Sequence, residues 1–209
     1  MKEIRFTLLA DGTSDRALMP ILEWLLNQHF PNLITEGAFA DFRFLPCPPQ
    51  RNRLDLRINK AIDLFPCDIL FIHRDAENIP WEKRHEEISS VLKDTVVQGT
   101  KPIPVIPVKM TEAWLLFDES AIKTASGNRR GPTLSLPSLK KVDTLPDPKE
   151  VLIKALKDAS GLSGRRLARF DERSAVTRVA ELIDDFSPLR ALEAFRKLEI
   201  DIKKMNWDT

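Results

Sequence analysis

The chain has 209 residues, 43% hydrophobic and 30% charged, enough to bury a core in one domain, alone or with a small appendage, and a composition that excludes a disordered chain. Lys plus Arg number 32 against 31 for Asp plus Glu, so any nucleic-acid contact must come from local basic patches rather than from the field of the whole molecule. Cys47 and Cys67 form neither a CxxC pair nor a framework of half-cystines, which fits reduced thiols in a cytoplasmic protein. Neither a secretory signal nor a membrane-spanning apolar run is present in the sequence, so a soluble protein with no membrane partner is expected.

Ile4 to Ala10 (IRFTLLA) predicts a strand, Asp-Gly a turn, and Leu18, Ile21, Leu22 and Leu25 the apolar face of a helix. Phe42 to Leu45 reads as a second strand, stopped by the Pro-rich PCPPQRNR, after which Leu54, Ile58, Ala61, Ile62 and Phe65 recur at helical spacing. Asp68 to His73 (DILFIH) is the near-continuous apolar run of a strand buried on both faces. Trp81, His85, Ile88, Val91 and Leu92 predict another helix, and PIPVIPV, Pro102 to Val108, a strand whose prolines suit a sheet edge.

Strands alternating with helices imply an α/β fold, a mostly parallel sheet sandwiched by helices, with ligands outside the carboxyl ends of the strands. MTEAWLLFDESAI predicts a helix pair that closes a core over residues 1–124. Residues 125–148 form a basic Gly/Pro-rich stretch, expected as a surface loop or mobile flap. Residues 149–209 read as a helical C-terminal extension packed on the core, with helices over Lys149–Ala159, Arg173–Phe186 and Leu189–Ile202, the last introduced by a capping Ser187 and Pro188.

Three carboxylate groups fall just past strands: Asp11 with Asp15, Asp75 with Glu77, and Glu112. Each has a bland reading, as a turn and helix cap, a solvated loop, or a cap before core residues. Together, at the carboxyl edge of one sheet, they would repel one another unless a hard divalent cation joined them, since Mg²⁺ takes oxygen ligands from one or two carboxylates plus phosphate. Such an edge suits phosphoryl transfer.

ADGTSDRALMPIL, DILFIHRDAE, PVKMTEAWLLFD, DPKEVL and SPLRALEAF, in this order over nearly the whole chain, resemble successive blocks of domain-of-unknown-function family 4276, an uncharacterised group placed among Toprim-like proteins. The resemblance implies a Toprim-like fold, shared with topoisomerases, bacterial primases and nucleases of the overcoming-lysogenisation-defect type. In that scheme a glutamate after the first strand is the general acid or base, and an Asp-x-Asp pair after a later strand holds Mg²⁺. By position Asp11 takes the glutamate's place, one methylene short, Asp15 matches a second acid found in the nucleases, and Asp75 with Glu77 matches Asp-x-Asp, one methylene long.

The resemblance implies a Mg²⁺- or Mn²⁺-dependent nuclease of a prokaryotic anti-phage defence system, working with an ATPase partner on DNA or RNA. Asp11, Asp15, Asp75 and Glu77 would be catalytic, and Asp11, Asp75, Glu77 and Glu112 would bind metal. The alternative is a catalytically inactive Toprim-like protein-interaction module. Candidate phosphate or nucleic-acid contacts are Arg74, Arg129, Arg130, Arg165 and Arg166, with Arg51, Arg53 and Arg57 after the Pro-rich turn. His73 is either a proton shuttle or a satisfied structural histidine. No HExxH, zinc spacing, phosphate loop with lysine or GxSxG elbow is present.

Overall fold

A computed structural model describes residues 2–77, 79–95 and 99–205. Four strands, β1 (Lys2–Leu9), β2 (Leu33–Phe39), β3 (Ile69–His73) and β4 (Lys101–Val105), form an all-parallel sheet in the order β2-β1-β3-β4. Helices α1 (Leu18–His29), α2 (Leu54–Leu64) and α3 (Trp81–Asp94) lie in the crossovers. The fold is therefore α/β with a parallel sheet.

Side chains alternate across the sheet, as the period of two requires. Ile4, Phe6 and Leu8 of β1 and Ile69 and Phe71 of β3 face one core with α1, whereas Leu9, Leu70 and Ile72 face a second core with Leu54, Ile58 and Ala61 of α2 and Ile88 of α3. β3, central and covered on both sides, is buried at every residue, which explains its unbroken apolar sequence.

The second strand lies at Leu33–Phe39, not at the expected Phe42–Leu45. As an edge strand, LITEGAF leaves Ile34, Glu36 and Gly37 exposed or half-covered, so its sequence carries little apolar signal. Phe42 is buried instead from a loop, against Phe65. At the other edge, β4 pairs among the described residues only with β3, and Pro102 and Pro104 are tolerated there.

The remaining helices are α4 (Glu119–Ala125), α5 (Leu139–Val142), α6 (Pro148–Ser160), α7 (Gly164–Leu167), α8 (Glu172–Leu182) and α9 (Glu193–Lys203). Asp147 caps α6 by accepting from Glu150 N–H at 2.8 Å, with proline in the first turn. Leu152 and Leu156 of α6, Val176 and Val179 of α8, and Phe195 and Leu198 of α9 join the core that includes β1 and α1. The expected helix over Leu189–Ile202 is broken: Ser187–Ala191 is a 3-10 turn and Leu192 is extended before α9 begins. Ser187 hydrogen-bonds Asp185 through both N–H and Oγ, and the residue at the N-cap of this turn is Phe186.

The stretch 126–147 is docked along its length. Asn128 Nδ2 donates to Ala159 O at 3.0 Å, Leu134 N–H donates to Glu119 Oε1 at 3.1 Å, Val142 is buried, and Leu134, Leu136, Leu139 and Leu145 pack on the core. Apolar residues at these intervals make it a strap rather than a mobile flap.

Candidate functional site

Strand order reverses between β1 and β3, since the chain runs outward from β1 to β2 and then returns to build β3 and β4 on the other side. The carboxyl ends of strands at such a switch point bound a crevice, and the candidate residues after β1 and β3 meet there. Among them, Asp15, His73, Asp75 and Glu112 come together.

Asp15 sits in a 3-10 turn, Thr13–Ala17. Its Oδ2 accepts the Gly12 N–H at 2.8 Å, while Oδ1 lies 3.8 Å from His73 Nε2. His73, 2% exposed at the end of β3, donates its Nδ1 proton to Val105 O of the neighbouring strand at 3.1 Å. This bond turns Nε2 toward Asp15, Asp75 and the Thr111 hydroxyl. Asp75 Oδ1 lies 3.5 Å from that nitrogen.

The peptide beyond β3 is clamped, with Ala76 N–H donating to Pro107 O at 2.9 Å and Arg84 Nε donating to Asp75 O at 2.9 Å. Asp75 Oδ1 is buried and has no hydrogen-bond partner among the described residues. Burial pushes the Asp75 carboxyl up from the ordinary 3.8 to about 7; His73 opposes the shift, and the charges of Asp15, Glu112 and Glu77 add to it.

Glu112 is carried on a second 3-10 turn, Thr111–Leu115, whose five residues are all buried. Trp114 anchors this turn edge-on against Phe195 of α9, ring centroids 5.4 Å apart. Burial also raises the Glu112 pKa, opposed by Lys149, whose Nζ is 3.7 Å away at the start of α6. The C-terminal helices thus help hold one carboxylate of the crevice and its counter-charge in place.

The other expected residues sit differently. Asp11 faces two guanidiniums: Arg57, which also donates to Ala10 O, and Arg74, with Nε 3.3 Å from Oδ2. Arg74 in turn pairs with Glu87, and Arg84 joins Glu87 at 2.6 Å. Glu77 is exposed, with φ of 53° in the left-handed region, and influences Asp75 through its charge. Arg129, Arg130, Arg165 and Arg166 are exposed near the C-terminal end of α6, about 16 Å along its axis from Lys149 at 1.5 Å per residue.

Arg173, at the start of α8, was not singled out from sequence. It lines a hollow of about 240 Å³ with Thr13, Ser14, Glu112 and Lys149, and another of about 400 Å³ with Asp11, Gly12, Thr13, Arg51 and Arg57. Thr13 and Arg173 therefore join the acidic crevice to a basic cleft. Nothing in the local sequence around Arg173 marks this role, which arises from the packing of α8 on the turn after β1.

Chemically, a carboxyl group titrating about neutrality beside a histidine can give or take a proton, and clustered carboxylate oxygens are hard ligands suited to Mg²⁺ or Mn²⁺. Among the described residues no three His, Cys, Asp or Glu side chains form a ready-made metal cage. A cation here would draw further ligands from water and substrate, the usual habit of Mg²⁺. No helix among the described residues is long and apolar enough to cross a membrane. No family model, curated protein or solved structure matches the chain.

Proposed function

We propose that the crevice between β1 and β3 is the active site of a Mg²⁺- or Mn²⁺-dependent phosphodiester hydrolase of Toprim-like type, acting on DNA or RNA. The observation that carries this reading is the buried Asp75 Oδ1, without a hydrogen-bond partner among the described residues and set among Asp15, Glu112 and His73. A buried polar atom without a partner is costly, and a cation would satisfy it while offsetting the mutual repulsion of the acids. Asp15, Asp75 and Glu112 would hold the ion. When bound, it would polarise the phosphate and stabilise the developing charge on the attacking and leaving oxygens.

The remaining work falls to the chain itself. His73 Nε2, oriented by Val105 O, is placed to accept a proton. Lys149 balances Glu112, and Arg173 stands where the phosphate backbone would leave the crevice. Asp11 serves as a positioning residue for Arg57 and Arg74 rather than as an acid or base. The resemblance to Toprim nucleases extends the reading to a prokaryotic defence system in which a separate ATPase supplies energy.

The test couples binding to activity. Mg²⁺ or Mn²⁺ should raise the thermal midpoint, because binding to the native state alone stabilises it, and Asp75→Asn should remove the shift. Supercoiled plasmid, single-stranded DNA and RNA should be cut by the wild type and spared by Asp75→Asn. Equal cutting by both proteins, or the absence of any metal-dependent shift, defeats the proposal. A second reading, the catalytically inactive interaction module, draws on the engagement of Asp11 by arginines and the absence of a ready-made cage among the described residues; it requires that no metal shift and no cutting be seen.

A further inference from the structure

The loop between β2 and α2 carries an aromatic side chain that does no packing work. Phe44 is 85% exposed, whereas Phe42, two residues earlier, is buried. The Arg43 guanidinium lies over the Phe44 ring, 5.6 Å from its centroid, and is itself held by a bidentate pair with Asp41, at 2.9 and 2.6 Å. Phe42 and Arg43 line the cleft of about 400 Å³ described above, and Phe44 is the next residue along the chain.

Within that cleft, Arg57 and Arg43 are already satisfied by Asp11 and Asp41. Arg51 and Arg173 make no ion pair with any described residue and remain available to an anion. A neighbouring hollow of about 440 Å³ shares Thr13, Arg43 and Arg173 and adds Arg16, which rests on the Phe39 ring at 4.7 Å and makes no ion pair with a described residue. The three hollows share Thr13 and Arg173, so the two basic ones, lined by arginines together with Asp11, Asp41 and Glu181, adjoin the acidic crevice there as one trough.

From this juxtaposition we infer that the trough binds single-stranded nucleic acid, with Arg16, Arg51 and Arg173 on its phosphates and a base stacked on Phe44. The inference rests on the hydrolase reading above and narrows its substrate class. An exposed aromatic beside a basic groove is the combination that holds single strands without sequence preference, because every base offers a π-face. A duplex keeps its base faces stacked internally and leaves Phe44 nothing to meet. The arginine that joins trough to crevice would pass the backbone from one to the other.

The full-length protein should be titrated with a fluorescent single-stranded oligonucleotide in EDTA, followed by anisotropy. No metal or cleavage is needed, and the metal-dependent melting above needs no nucleic acid, so the two readings can fail separately. Phe44→Ala, at a site too exposed to affect folding, should weaken binding by about 5- to 150-fold, the equivalent of the ~1–3 kcal/mol measured for losing one base stack. Arg51→Ala and Arg173→Ala should each lower the slope of log affinity against log salt by roughly 0.7, the value for one phosphate contact on a single strand. An Arg165→Ala, Arg166→Ala double variant should bind like the wild type. Undetectable binding at low salt, unchanged binding by Phe44→Ala, or equal competition by duplex of the same length overturns the inference.

Discussion

Replacing Asp75 with Asn removes one titrating group from the crevice at nearly constant size, and its consequence for stability can be worked from the structure. Burial and the charges of Asp15, Glu112 and Glu77 lift the carboxyl from 3.8 to about 7 against the opposing His73. A folded-state pKa above the unfolded one means that the native state holds its proton more tightly, so stability is greatest below the unfolded value and declines as pH rises through the folded value. A shift of about three units at 1.36 kcal/mol each amounts to about 4 kcal/mol in full, of which about 3 kcal/mol falls between roughly pH 4.5 and pH 8.

For a chain of this size each kcal/mol moves the midpoint by about 2–4 °C. Thermal melts of wild type and Asp75→Asn in EDTA should therefore diverge with pH, the wild type losing about 6–12 °C more than the variant across that window. Glu112, whose pKa is also raised, titrates in both proteins, so the difference between the two curves isolates Asp75. Parallel curves would show that Asp75 is not held in a buried, charge-repelling position, and the case for a cation there would lose its physical basis. Restoring Mg²⁺ at pH 8 should close part of the gap in the wild type only.

Three further outcomes are expected. Asp11→Ala should leave the Arg57 guanidinium, 5% exposed, without its carboxylate partner; because Asp11 is itself about one-third exposed, the loss should lie toward the low end of the ~3–5 kcal/mol range for broken buried pairs. An Asp11→Ala, Arg57→Met double variant should recover part of it in urea titrations, and an equal loss in both would show the pair to be unimportant. Gly131→Ala would place a methyl 2.4 Å from the carbonyl oxygen of Ala159, a backbone atom that cannot turn aside. The overpacking should cost about 1–3 kcal/mol and open the strap to proteolysis; an unchanged cleavage rate would contradict a docked strap. Phe195→Ala should cost about 3–5 kcal/mol by removing the ring that Trp114 packs against, checked by chemical denaturation, and a loss below about 1 kcal/mol would mean that the pair does not anchor the Glu112 turn.

The strands that bury both faces announce themselves. IRFTLLA and DILFIH could be placed because burial forces apolar residues at nearly every position. LITEGAF escaped because an edge strand needs apolar residues only where it is covered, and the more apolar Phe42–Leu45 drew attention away. For the site, carboxylates at strand ends pointed to the crevice, yet sequence could not divide them. Asp11 and Asp15 are four residues apart, and which one turns inward is decided by partners distant in the chain: Arg57 and Arg74 take Asp11, while the Gly12 N–H leaves Asp15 facing His73. Arg173 was invisible for the same reason, since its place depends on how α8 packs against the turn after β1.

The Trp114–Phe195 contact has a bearing on synthesis. The turn that presents Glu112 is braced by a residue more than eighty positions later, and Ile4, Phe6 and Leu8 share one core with Val179 and Leu198. A nascent chain halted near residue 124 would expose that apolar sheet face and lack the brace, Lys149 and Arg173. The crevice would be completed only once α9 has been made and docks, so the polypeptide would carry no finished site before that point.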